Sequence, residues 1–226
     1  MALVYAHRGL HVEERENTVD AFKGAVALGV DGVELDVRRT ADGQLVVHHD
    51  AIIDGVAISE STFVDLPDYV PTFEDAMAAC RGTSVNVEIK NIRHDSEPSY
   101  DDSGEFARHV LEDLYRFELA TTALISCFDL ATCALIRSLD PTIGVGWLLA
   151  WSVELSGAMD RAKDLGFTGI HPYFQMVDER AVDRAGELDL DVNVWTVNAP
   201  DDIASMHALG VDRIITDDPA TAMRRS

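Results

Sequence analysis

Lysine is scarce in this chain. Only Lys23, Lys90 and Lys163 occur, and 18 basic residues against 40 acidic ones leave a formal net charge of −22. So acidic a protein repels other polyanions, which excludes nucleic acid and anionic membrane surfaces as partners. Long apolar runs are missing too. None approaches the roughly 20 residues needed to cross a bilayer, so no membrane insertion is expected. Cysteine is limited to Cys80, Cys127 and Cys133, an odd number at irregular spacing. They fit neither a zinc pattern nor a disulfide framework and read as buried, reduced thiols. Met1–Tyr5 runs straight into an apolar strand, with no basic segment or cleavage site. That start predicts a cytoplasmic protein rather than a secreted one. What remains is an ordinary globular composition, 47% hydrophobic, with enough apolar material for a large core.

Short apolar strands alternate with helical periodicity from end to end. Strands are expected at 3–6, 32–37, 84–89, 123–126, 143–148, 169–171, 191–196 and 213–216. Between them, sets such as Phe106/Val110/Leu114/Phe117 and Ile203/Met206/Leu209 recur at helical spacing, with Asn17, Thr72, Asp129 and Asp178 placed as N-caps. Eight such units predict one domain over residues 1–226, a (β/α)8 barrel, with an open doubly wound sheet as the competing arrangement. Leu28-Gly29-Val30-Asp31-Gly32-Val33 is echoed at 165–170 and 209–214. Each copy ends a helix on glycine and enters a strand. In this register Glu34 aligns with His171, so both are expected on one rim.

One segment breaks the alternation. Residues 45–48 form a strand pattern too close to Val37 for a crossover helix, and Ala41-Asp42-Gly43 is a hairpin signal. The return strand brings His48 or His49 opposite Asp36, depending on the loop register. Residues 51–70 then read as a short excursion over the barrel mouth.

The residues with chemistry gather on this framework. Glu34 and Asp36 are two apart on a strand and share a face, and Glu88 and Lys90 repeat the arrangement on the next barrel strand. Three inward carboxylates are costly unless they pair or hold a cation. Such hard oxygen donors suit Mg²⁺ or Ca²⁺, although an inward ion-pair cluster of Glu34, Asp36, Glu88 and Lys90 satisfies the same pattern. His7 and Arg8 end the first strand before Gly9. Arg8 offers a planar fork for phosphate and Lys90 a second positive charge. His7 with His49 supplies an acid and a base. His171, Trp147 and Phe128 fall near strand ends and are candidates for the pocket wall. His48 is expected to face away, and His11, His94, His109 and His207 to be surface or structural.

These segments resemble the glycerophosphodiester phosphodiesterases. Ala6-His7-Arg8-Gly9, Glu16-Asn17-Thr18, Gly32–Val37 and Val46-Val47-His48-His49-Asp50 match that family's motifs in order. So do Val87-Glu88-Ile89-Lys90, Ser126-Cys127-Phe128, Val194–Asn198 and Ile214–Pro219. The resemblance spans Leu3 to Pro219. It implies a (β/α)8 barrel that hydrolyses glycerophosphodiesters to glycerol 3-phosphate and an alcohol with a divalent metal. On matching positions it implies Glu34, Asp36 and Glu88 as metal ligands and His7 and His49 as the acid/base pair. Arg8 and Lys90 become phosphate contacts, and Trp195 part of the wall facing the glycerol.

Three departures fall near the alcohol side. Arg15 stands where the family usually has proline, Asp54 is followed by Gly55 rather than an arginine–threonine element, and the segment between His49 and Pro71 is short. They bear on substrate range rather than on the metal or phosphate set. Competing functions are phospholipase D-type cleavage of lysophospholipids, a silent glycerophosphodiester-binding protein, and a sugar isomerase or aldolase barrel without a motif in its favour. A homo-oligomer is compatible with the sequence.

Overall fold

The computed structural model describes residues 1–93 and 99–224. His94 lies outside them. In chain order the strands are β1 (Leu3–Ala6), β2 (Gly32–Arg39), β3 (Leu45–Val47), β4 (Ile52–Ile53), β5 (Val56–Ala57), β6 (Ser84–Ile89), β7 (Ala123–Cys127), β8 (Gly144–Leu149), β9 (Gly169–Pro172), β10 (Asp191–Val194) and β11 (Arg213–Thr216). The helices are α1 (Val19–Leu28), α2 (Phe73–Ala79), α3 (Glu105–Arg116), α4 (Leu130–Leu139), α5 (Leu155–Asp164), α6 (Glu179–Glu187), α7 (Pro200–Leu209) and α8 (Pro219–Ala222). Parallel pairing runs β1-β11-β10-β9-β8-β7-β6-β2, and β2 pairs back onto β1. The sheet is therefore a closed eight-stranded (β/α)8 barrel.

Period-two alternation sorts the strands into two faces. Val33, Leu35 and Val37 on β2, with Val85, Val87 and Ile89 on β6, are buried in the core shared with the helices. Their neighbours in sequence turn into the barrel. The β2–β6 register sets Asp36 beside Glu88 and Glu34 beside Asn86, so four polar side chains meet inside the C-terminal mouth. Thr72, Asp129 and Asp178 cap helices as expected, by accepting from Asp75, Thr132 and Ala181 backbone N–H groups. The first cap differs from expectation. Thr18, not Asn17, caps α1, because Asn17 sits at φ 56 and turns its amide inward.

The hairpin forms as its turn chemistry predicts. β3 returns antiparallel along β2, pairing Val37 with Val47, and His48 N–H donates to the Asp36 carbonyl at 3.0 Å. That register puts His48 opposite Asp36, but β3 ends at Val47, and past the strand end His48 turns toward Tyr69 while His49 turns toward the barrel mouth. The excursion after it has structure of its own. Asp54 and Gly55, at φ 51 and 85, make the tight turn between β4 and β5. Ile53 and Ile58 pack with Val46 and Val70 in a small separate cluster. Arg15 lies over the Tyr69 ring at 4.0 Å and ties this excursion to the first loop. Cys80, Cys127 and Cys133 are buried free thiols, and burial pushes the Cys80 thiol up to about 12. No helix of the described residues is long and apolar enough to cross a membrane.

Candidate active site

A cavity of about 160 Å³ opens at the C-terminal mouth of the barrel, where barrel enzymes place their chemistry. Its lining includes His7, Arg8, Glu34, His49, Glu88, Lys90 and Trp195. Asp36 lies against it, 2.9 Å from the Lys90 ammonium. All eight expected site residues thus fall in one place. A wider cavity of about 550 Å³ beside the hairpin turn, lined by Arg39, Asp42 and Tyr100 among others, contains none of them.

Ligand atoms of Glu34, Asp36 and Glu88 lie within 4.8 Å of one another, and all three residues are buried. Two cations answer them. Lys90 Nζ lies 2.6 Å from Glu88 Oε1 and 2.9 Å from Asp36 Oδ1. Arg8 Nε lies 3.3 Å from Asp36 Oδ2, while its Nη1 is held by Glu16 at 2.8 Å. Burial alone would raise the Asp36 carboxyl, but Lys90, Arg8 and Asn17 together hold it well below the usual carboxylate range. Glu34 goes the other way. Burial, then repulsion from Asp36 and Glu88, drives its carboxyl well above the usual range. Among the described residues it accepts a backbone N–H, from Arg8 at 3.1 Å. Three buried carboxylates therefore share Lys90 with an arginine already half-committed to Glu16. A hard cation at Glu34 would cancel the excess charge, so the residues present fit a divalent metal.

Local geometry explains how these carboxylates are aimed. Arg8 at φ 57 and Gly9 at φ 84 reverse the chain after β1, turning the Arg8 N–H toward Glu34. A side chain at Gly9 would strike the Ala21 backbone at 2.8 Å, so only glycine permits this reversal. Asn17 donates to Asp36 Oδ2 at 2.7 Å and accepts from the Asp36 N–H at 3.3 Å, holding that residue by both its carboxylate and its backbone.

Both histidines present one ring nitrogen to the cavity and back the other with a carboxylate. His7 Nδ1 is 2.6 Å from Asp217 Oδ1, and its Nε2 is 4.0 Å from Glu34 Oε2. His49 Nδ1 is 2.7 Å from Asp50 Oδ1, and its backbone carbonyl accepts from Arg38 Nε at 2.9 Å. Burial and the nearby Lys90 charge lower the His49 imidazole, favouring its neutral form. On the far wall Trp195 donates from Nε1 to the His171 carbonyl at 2.7 Å and meets Phe128 edge-on at 5.6 Å.

Several expectations change. His171 does not line the cavity but lies fully buried in the barrel, with Nε2 3.0 Å from Asn193 Nδ2. It sinks because β8 offers glycine beside it, and a Cβ at Gly146 would lie 2.1 Å from His171 Nε2. Trp147 packs against the outer core and donates to the Phe128 carbonyl at 3.1 Å, whereas Phe128 does reach the cavity. His48 points away toward Tyr69, as expected. His11, expected as a surface or structural residue, has Nε2 3.1 Å from the same Asp217 oxygen that meets His7. Asn17, Asp50 and Asp217 carried no expected role at the site, although each lies in a motif segment. The spacing of those segments was the signal that marked them.

Comparison with known proteins agrees with the barrel fold and the order of the motifs. The model of the glycerophosphoryl diester phosphodiesterase family matches residues 7–221. A glycerophosphodiester phosphodiesterase of Caldanaerobacter subterraneus subsp. tengcongensis is 29% identical over 240 residues, covering 97% of this chain and 95% of that protein. The crystal structure of a glycerophosphodiester phosphodiesterase from Parabacteroides distasonis superposes with a TM-score of 0.85 at 29% identity, covering 98% of this chain and 94% of that one. An Oleispira antarctica phosphodiesterase, solved in complex with the product sn-glycerol-3-phosphate, shares the fold with a TM-score of 0.86 at 21% identity, covering 98% and 95%. Barrel, motif order and near full-length match together place this chain in the glycerophosphoryl diester phosphodiesterase family.

Proposed function

We propose that the protein hydrolyses glycerophosphodiesters to glycerol 3-phosphate and an alcohol. In this reading Glu34, Asp36 and Glu88 hold a divalent ion, Mg²⁺ or Ca²⁺, and His7 and His49 act as the acid and base. The reading is carried by the buried carboxylate trio, whose ligand atoms lie within 4.8 Å of one another beside two oriented imidazoles and two cations. Family membership and the names of the relatives support the substrate class.

When bound, the ion supplies a Lewis acid that draws charge from the phosphodiester oxygens. Lys90 and Arg8 add fixed positive charge for the equatorial oxygens as the transition state forms. Asp217 and Asp50 accept from the Nδ1 side of each imidazole, which leaves Nε2 facing the cavity to take or give a proton. One histidine deprotonates the nucleophile and the other protonates the leaving alcohol. Trp195 and Phe128 wall the glycerol side and keep it dry.

The test is turnover of a panel of glycerophosphodiesters (choline, ethanolamine, inositol, glycerol) with EDTA and with Mg²⁺, Ca²⁺ or Mn²⁺ restored. Activity should vanish on chelation and return with metal. His7→Ala and His49→Ala should each cost about a hundredfold or more in turnover with the fold intact. Activity indifferent to EDTA would overturn the metal assignment, and near-parental turnover of either variant would remove that histidine from the mechanism.

A further inference from the structure

A second group of metal-ligating side chains stands behind His7. His7 Nδ1 and His11 Nε2 converge on one oxygen of Asp217, at 2.6 and 3.1 Å. The ligand atoms of the three residues lie within 4.8 Å of one another. The cluster is assembled by the barrel's closing pair. β1 and β11 set Ala6 beside Thr216, so His7 and Asp217 leave adjacent strand ends, and the loop after Gly9 brings His11 back over them. The carboxylate is fixed from behind. Asn198 donates from Nδ2 to Asp217 Oδ2 at 2.6 Å, and its Oδ1 accepts from the Asp217 N–H at 2.9 Å.

The donor set differs in kind from the carboxylate trio. Two imidazoles and one carboxylate suit zinc and similar borderline ions, with a fourth position left to water. The three side chains are 17%, 22% and 35% exposed, so an ion can reach them without unfolding the barrel. The Asn198 contacts are of the outer-shell type that orients metal-binding carboxylates. Bonds of about 2.1 Å separate tetrahedral ligands by roughly 3.4 Å, so the His7–Asp217 contact need open by less than about 1 Å.

We propose that His7, His11 and Asp217 form a second metal site, selective for Zn²⁺-like ions over Mg²⁺ and Ca²⁺, whose occupancy inhibits the enzyme. An ion on His7 Nδ1 displaces the Asp217 hydrogen bond and leaves the proton on Nε2. The ring then no longer offers a free nitrogen to the cavity. Zinc is thus an inhibitor and the hard cation an activator, at two sites that share one histidine environment.

The test is Co²⁺ titration of the full-length protein in excess Mg²⁺, followed by visible absorption, with Zn²⁺ added afterwards as competitor. A nitrogen-containing four-coordinate site gives an intense d–d band that an all-oxygen six-coordinate site does not. The expected result is one equivalent of such a band, bleached by Zn²⁺ and lost in His11→Ala. Asn198→Ala should weaken binding by about 10- to 100-fold. Zn²⁺ inhibition of Mg²⁺-supported turnover should be relieved by at least about tenfold in His11→Ala, whose Zn²⁺-free activity is the reference. Thermal denaturation of each variant separates ligand loss from misfolding. Absence of the band, or a band and Zn²⁺ inhibition unchanged in His11→Ala, would overturn the proposal. The absorption readout stands whether or not the proposed hydrolysis does.

Discussion

Acid should destabilise this barrel through a residue that takes no part in the cavity. His171 is fully buried, and burial followed by the nearby Arg213 charge lowers its imidazole from 6.5 to about 3. The folded protein therefore holds it neutral, while the unfolded chain takes up a proton below about pH 6.5. The His171 contribution to stability is complete above that pH and is lost as pH falls toward 3. At 1.36 kcal/mol per unit, the full window is worth about 5 kcal/mol, of which about 2 kcal/mol is lost between about pH 7 and pH 5. Urea denaturation at those two pH values, in EDTA, measures the loss for the parent and for His171→Gln. The variant lacks the titrating ring, so its loss over the interval should be smaller by about 2 kcal/mol, whatever its stability at neutral pH. Carboxylates common to both proteins cancel in this comparison. If the two lose stability in parallel, the imidazole is protonated in the folded state and the reasoning fails.

Two other perturbations address the carboxylates. Because burial and its neighbours raise Glu34, its ionised form opposes folding of the metal-free protein at neutral pH. Glu34→Gln should therefore melt higher than the parent in EDTA, by roughly 2–4 °C for each kcal/mol relieved, and gain less from added Mg²⁺. A lower melting temperature in EDTA would contradict this. Asn17→Ala removes both clamps on the buried Asp36, at a cost of about 1–3 kcal/mol in stability and about 10- to 100-fold in metal affinity. Calorimetric Mg²⁺ or Ca²⁺ titration checks it, and parental affinity would mean that Lys90 and Arg8 suffice to orient Asp36.

Much of the site is legible from residues close together in the chain. Two residues of separation put Glu34 with Asp36, and Glu88 with Lys90, on one side of a strand, because side chains alternate with period two. Asp42-Gly43 reverses the chain within a few residues, so the return of a histidine to Asp36 is a local event. Its register is local as well, since the Thr40 N–H bonds the Gln44 carbonyl at 3.0 Å and sets which residues pair. The choice between His48 and His49 does not follow from that register, which sets His48 opposite Asp36; it is made past the end of β3, where Arg38 holds the His49 carbonyl and the His49 ring enters the cavity.

Sequence by itself determined the strand–helix alternation, the inward carboxylates, the paired cations and the two catalytic candidates, because each follows from short-range periodicity or from a motif carried in order along the chain. Tertiary structure alone decided the rest. His7 meets Asp217 across 210 positions only because β11 closes against β1, and spacing does not encode strand neighbours so remote. His11 gains its contact from that same closure. His171 and Glu34 occupy equivalent places in a sequence repeat, yet one is a buried neutral ring and the other a carboxylate lining the cavity. The difference is set by the adjoining strands: Gly146 leaves room for the imidazole to sink, whereas Asn86, Asp36 and Glu88 surround Glu34 with polar groups at the open mouth.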